Sequence, residues 1–144
     1  NKAINLGFKY IITIDADGEL PVNKIPKFLE KLENGYDLVI GNRNKKNRYV
    51  ESLFSFLSKK TYGINDPLCG MKGYSSKKIS NLKMKSSYDS IGTEIAFRLA
   101  NKKIKFININ ISVKRRLGNS RFGCLLKSNL MIMYVMIISI LIKI

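Results

Sequence analysis

The sequence predicts an α/β layered fold with a largely parallel sheet. Two observations carry this reading. Short apolar runs alternate with stretches whose apolar residues recur at helical spacing, in the order α, β, α, β, α, loop, α, β, α. The run Tyr10-Ile11-Ile12-Thr13-Ile14 also stops abruptly at Asp15-Ala16-Asp17-Gly18. A buried strand that delivers polar residues to the carboxyl end of a sheet looks like this. At 144 residues and 45% apolar content, the chain is one globular domain with room for a real core.

Each element has its own signal. Lys2 to Gly7 reads as a helix end, with Gly7 as its cap. The strand to Ile14 follows. Ile25, Phe28, Leu29 and Leu32 share a helical face, with Pro26 in the first turn and Gly35 as terminator. Asp37-Leu38-Val39-Ile40 is a short buried strand that ends at Gly41. Val50, Leu53, Phe54 and Leu57 place a helix over Tyr49 to Tyr62. Asn65 to Gly73 is rich in turn formers, and Ile91 to Ala100 is helical. Phe106 to Val113 alternates with period two, a strand with one polar face.

Asp15 and Asp17 carry the first chemical message. In an extended strand, residues i and i+2 project to the same side. Two carboxylates aimed at one point repel unless a cation lies between them. Oxygen donors of this kind favour Mg²⁺ or Mn²⁺, which keep open positions for substrate phosphates. A polar turn is the competing reading of Asp-x-Asp-Gly. A calcium loop of the EF-hand kind does not fit, because its glycine position is Leu20 and its terminal glutamate position is Pro26.

Composition removes several classes. The chain has no histidine, which excludes histidine-activated nucleophiles and histidine-ligated zinc. Cys69 and Cys124 have neither metal spacing nor a disulfide framework, in keeping with a reduced, cytosolic setting. The formal charge is +16. No acidic residue follows Glu94, whereas Arg98, Lys102, Lys103, Lys105, Lys114, Arg115, Arg116, Arg121, Lys127 and Lys143 do. Such a block attracts phosphates or anionic lipid. Part of the excess reflects a general Lys, Ile and Asn bias. Nucleic acid is not an expected partner, because no recognition-helix or stacking-aromatic pattern accompanies the charge.

Five motifs in order resemble one family. Ile14-Asp15-Ala16-Asp17-Gly18-Glu19, followed by Pro21 and Ile25-Pro26, looks like the DXD region of family 2 glycosyltransferases. Tyr36-Asp37-Leu38-Val39-Ile40-Gly41-Asn42-Arg43 resembles their next strand and its Gly-x-Arg loop. Asp66-Pro67-Leu68-Cys69-Gly70-Met71-Lys72-Gly73-Tyr74 is similar to their acceptor-side loop. Gly92-Thr93-Glu94 and Arg116-Leu117-Gly118-Asn119-Ser120-Arg121 resemble later motifs of the dolichol-phosphate mannosyltransferase, or polyprenyl-phosphate glycosyltransferase, branch. The match runs from about Asn5 to Gly123.

The resemblance implies a GT-A fold, a Rossmann-like three-layer sandwich, incomplete at the amino terminus where the family grips the nucleotide base. It implies transfer of a sugar, with inversion, from a UDP- or GDP-sugar donor. Carried over, Asp15, Asp17 and Arg43 bind the donor, and Asp15, Asp17 and Glu19 hold Mg²⁺ or Mn²⁺, with Asp17 the direct ligand. Asp17 and Asp66 are the catalytic candidates. Arg116, Ser120, Arg121 and Glu94 bind the acceptor or a phosphate. An ionised lipid monophosphate acceptor needs no strong base, because its second pKa is about 6. A sugar hydroxyl acceptor would need one, and Asp66 is that candidate. Plainer readings stand beside these: an Asx turn for Asp66 before Pro67, an i,i+4 pair with Arg98 for Glu94, and core or rim positions for Tyr74 and Tyr88. A non-catalytic remnant or partner subunit, and a polyanion-binding module, are the alternatives to an enzyme.

The carboxyl end divides the chain into a partial catalytic domain over 1–123 and an apolar helix over 124–144. Leu130 to Ile142 is apolar except for Ser139. Thirteen helical residues reach about 20 Å, short of the ~30 Å hydrocarbon core. A helix lying at an anionic membrane surface is the expectation, with the protein peripheral to, or anchored in, the cytoplasmic face. A truncated spanning helix and a helix docked on the domain itself are the alternatives.

Overall fold

The computed structural model describes residues 2–46, 48–82, 91–114 and 125–141. Its elements run α1 (Lys2–Asn5), β1 (Tyr10–Thr13), α2 (Ile25–Glu33), β2 (Leu38–Arg43), α3 (Tyr49–Tyr62), β3 (Lys72–Ser75), α4 (Ser76–Ser80), α5 (Ile91–Asn101), β4 (Phe106–Ile111) and α6 (Leu125–Leu141). A 3-10 turn over Val22–Lys24 leads into α2.

The four strands lie in the order β1-β3-β2-β4. β2 and β4 are parallel, and β3 runs antiparallel to both of its neighbours, β1 and β2. β1, β2 and β4 therefore share one direction, with one reversed strand among them. Along β2 the side chains alternate between two cores. Leu38 and Ile40 join Phe54, Ile64, Tyr74, Phe97, Leu99, Val135 and Met136 on the face covered by α3, α5 and α6. Val39 joins Phe28, Leu32, Met71, Ile109 and Ile111 on the face covered by α2. Helix, sheet and helix make the expected three layers.

Most element bounds agree with the sequence pattern. α3 spans the residues its apolar spacing indicates, and ends where Gly63 adopts the left-handed conformation at φ 75°. The differences are instructive. β1 stops at Thr13, and β2 continues past Gly41 to Arg43. Gly41 stays in the strand because a Cβ there would meet Cys69 Sγ at 2.7 Å and the Met71 carbonyl oxygen at 3.1 Å. Its side-chain-free edge accommodates the loop before β3 and does not terminate pairing. β3 and α4 lie where the sequence suggested turns or no element. β4 ends at Ile111, two residues before Val113. The polar face of β4 is used: Asn108 accepts from Asn65 N at 3.1 Å and donates to the Gly63 carbonyl at 3.0 Å. This clamps the turn that leads to Asp66.

α6 packs against α3 and buries Val135 and Met136 in the larger core. Among the described residues, no helix is long and apolar enough to cross a membrane.

Candidate active site

Three strands running one way bring their carboxyl ends to a common edge. Residues 14–19 follow β1, residues 44–48 follow β2, and residues 112–114 follow β4. β3 runs the other way, so the loop that precedes it, 66–71, reaches the same edge. Open α/β sheets bind ligands at such an edge.

The carboxylates after β1 occupy a turn, not an extended strand. β1 ends two residues before Asp15, and Gly18 takes φ 78°. Strand alternation therefore does not set the relation of Asp15 to Asp17. Asp15 is exposed and Asp17 half-buried. Asp17 Oδ1 accepts from the Glu19 backbone N–H at 3.2 Å, and the Glu19 carbonyl accepts from Lys114 N at 2.9 Å. These bonds tie the turn to itself and to the end of β4. The expected triad of Asp15, Asp17 and Glu19 does not form: among the described residues, no three Asp, Glu, Cys or His side chains cluster to hold a metal.

Gly70 explains how the second loop meets the first. A Cβ on Gly70 would fall on the carboxylate of Asp15. Only glycine lets this backbone come so close. Thr13 Oγ1 donates to the Gly70 carbonyl at 3.1 Å, which locks the approach. The Asp15 carboxylate, packed on bare backbone, offers hard oxygens of the kind that suit a small divalent cation shared with a diphosphate. Asp15 and Asp17, two residues apart on this turn, are oxygen donors of the type such a cation takes.

Asp66 anchors the loop from beneath. It is fully buried. Its Oδ2 accepts from Arg43 Nε at 2.7 Å and from Arg43 N at 3.2 Å, and its Oδ1 accepts from Arg43 Nη2 at 3.1 Å. Arg43 also donates to Glu51 Oε2 at 3.2 Å, and Arg48 lies 3.8 Å from Glu51 Oε1. Burial works against the Arg43 charge, but Asp66 beside it and Glu51 behind it hold its pKa above the ordinary value. The guanidinium thus faces the protein interior, and both Asp66 oxygens are engaged.

Two features escape a reading of the sequence. Lys72 is buried in the central strand, and its Nζ donates to the Cys69 carbonyl. Desolvation lowers its pKa, while Cys69, Asp66 and Asp15 act in the opposite direction. Thr93 Oγ1 donates to the Pro67 carbonyl at 3.0 Å, so the first turn of α5 docks on the same loop. Neither a charged residue in a strand nor a threonine in a helix carries a chemical signature in sequence.

Glu94 accepts from Arg98 Nε at 2.7 Å within α5, the pair that its i,i+4 spacing indicates. Tyr74 is a core residue, 2% exposed. Arg116, Ser120 and Arg121 lie outside the described residues, as do Arg115, Tyr88 and Cys124. The structure thus brings Asp15, Gly70, Asp66 and Arg43 to one edge.

Comparison with known proteins places this chain and its fold. Residues 5–104 match the family model described as Glycosyl transferase family 2. A dolichyl-phosphate hexose transferase of Haloferax volcanii is 25% identical over 121 residues, covering 77% of this chain and 53% of that protein. An uncharacterised protein of Methanocaldococcus jannaschii is 31% identical over 121 residues, covering 74% and 52%. Among solved structures, glucosyl-3-phosphoglycerate synthase of Mycobacterium tuberculosis with Mn²⁺ and UDP-glucose superposes with a TM-score of 0.68 at 18% identity, over 94% of this chain and 49% of that one. The same synthase with phosphoglyceric acid gives 0.66 at 16% identity. The chain spans about half the length of these relatives.

Proposed function

The chain belongs to glycosyl transferase family 2, and from that premise we propose that it serves an inverting transfer of a sugar from a UDP- or GDP-sugar to a polyprenyl phosphate at the cytoplasmic membrane face. The observation that carries the acceptor choice is the state of Asp66. Its oxygens accept three bonds from Arg43 and it is fully buried. A sugar hydroxyl needs a base within hydrogen-bond reach, whereas a phosphate monoester is already ionised near neutrality. The 25% identity to a dolichyl-phosphate hexose transferase supports the same acceptor class.

In this reading Asp15 and Asp17 would hold a Mg²⁺ or Mn²⁺, which would supply Lewis-acid neutralisation of charge on the nucleotide diphosphate. The chain's own residues do the rest. The 66–71 loop forms the wall against which the donor rests, with Gly70 at the Asp15 carboxylate. Arg43 and Asp66 are positioning residues that fix that wall. Lys72 holds the Cys69 carbonyl and so fixes the loop behind the carboxylates. Arg116, Ser120 and Arg121, just beyond β4, receive the acceptor phosphate by charge-assisted hydrogen bonds. α6 lies at the membrane interface and brings the site to the lipid headgroups.

The test is transfer of labelled sugar to three acceptors: a polyprenyl phosphate, the corresponding polyprenol, and a free hexose. Product on the phosphate alone is expected. Equal or better transfer to either hydroxyl acceptor would overturn the reading and return the base role to Asp66.

A further inference from the structure

The outer surface of α3 is unlike that of a solvated helix. Its inward row is Glu51, Phe54, Ser55 and Ser58, all buried. Its outward row is Tyr49, Leu53 and Phe56, which are 97%, 49% and 64% exposed. These three recur at i, i+4 and i+7, directly opposite the buried row. α6 repeats the pattern. Val135 and Met136 are buried, whereas Leu130, Met133, Tyr134 and Ile137 are exposed. Both helices bury their inward faces in one core and pack against each other. Their outward faces are therefore neighbours. An apolar surface shared by two helices marks an interaction site more strongly than single exposed apolar residues do.

The charges around it identify the occupant. Glu51 is the one carboxylate of α3, and it is buried against Arg43 and Arg48. α6 contains no Asp or Glu. Lys45 lies exposed before α3, and Lys59 and Lys60 lie exposed in its last turn. An apolar centre with cations at both ends and no exposed acid on either helix is complementary to an anionic bilayer. Tyr49 and Tyr134 suit the headgroup level, where an aromatic ring is buried and its hydroxyl stays wet.

We propose that α3 and α6 together form a membrane-contacting face, with Tyr49, Leu53 and Phe56 entering the headgroup boundary of an anionic leaflet. The proposal rests on the reading of α6 as an interfacial helix and adds a second, independent element to it. It also sets an orientation. α3 begins just beyond the Arg43 loop, at the edge of the sheet that carries Asp15. A bilayer against this face lies beside the site, where a lipid phosphate would be presented.

The chain contains no tryptophan, so Phe56→Trp introduces a single reporter. Anionic vesicles of phosphatidylcholine and phosphatidylglycerol should shift its emission to the blue, and bilayer-embedded quenchers should quench it. Unchanged emission while the protein floats with the vesicles would show that α6 binds alone, and would overturn the proposal. In flotation, Leu53→Ser/Phe56→Ser should lower the partition coefficient by about tenfold or more. The Leu29→Ser variant, on α2 across the sheet, should leave it unchanged. If the serine pair partitions like wild type and instead converts a dimer to a monomer, the face is a contact between copies and the proposal fails. Transfer to a short, water-soluble prenyl phosphate separates the two readings. Failure of the wild type there counts against the proposed activity and leaves the emission result from Phe56→Trp standing.

Discussion

Asp66→Asn separates an anchor from a catalytic base. The substitution preserves shape and removes the charge that faces Arg43. Three hydrogen bonds from Arg43 end on this carboxylate, at 2.7, 3.1 and 3.2 Å. One amide hydrogen would now point at a guanidinium donor, and only Glu51 would remain to balance the Arg43 charge. Asp66 is fully buried, and the side chains of Arg43 and Glu51 are 11% and 8% exposed, so solvent does little to screen the loss. Breaking a buried pair on one side costs about 3–5 kcal/mol. At about 2–4 °C per kcal/mol for a chain near this size, Tm should fall on the order of 10 °C. Thermal melting followed by circular dichroism measures this. A double-mutant cycle with Arg43→Gln should show coupling above about 1 kcal/mol, because the residues are in direct contact. An Asp66→Asn variant that melts like wild type but has lost turnover would refute the anchor and establish a base.

Two further perturbations address neighbouring parts of the site. Gly70→Ala must displace the Asp15 carboxylate, and misplacement by about 1 Å costs about a hundredfold in turnover. Mn²⁺ affinity should fall in the same variant with little change in Tm, and unaltered affinity would show that Asp15 takes no part in binding. Burial raises the Cys69 thiol above its ordinary value near 9.0, with Lys72 opposing that shift. The unfolded chain therefore releases this proton first, so the thiol's contribution to stability is intact below pH 9.0 and declines as the pH rises through the folded-state value. Denaturant midpoints against pH should show this decline in wild type and not in Cys69→Ala; identical profiles would place the thiol in water.

Legibility of the fold tracks the range of the interactions involved. α3 is plain in the sequence because its apolar spacing and the Gly63 cap are local signals. The Glu94–Arg98 pair is plain for the same reason. β3 is hidden because Lys72 and Gly73 are poor strand formers, yet it is a central strand. Gly73 suits the close crossing of α2, because a Cβ would meet Leu32 Cδ1 at 3.1 Å. Lys72 is tolerated because its Nζ donates to the Cys69 carbonyl. The network of Arg43, Asp66 and Glu51 joins residues 23 and 8 positions apart, and no local pattern announces it. Asp15 and Asp17 stand out through their chemistry, but strand alternation does not give their aim. The chain turns at residues 16–18, and Asp17 bonds back to Glu19.

The central claim is that Asp15 and Asp17 form a metal-dependent nucleotide-sugar site. Isothermal titration of UDP- and GDP-sugars into the protein, in Mn²⁺ and in chelator, tests it most directly when repeated with Asp17→Asn. One donor should bind in Mn²⁺, fail to bind in chelator, and fail to bind to a folded Asp17→Asn variant. Equal donor affinity in wild type and Asp17→Asn would contradict the account.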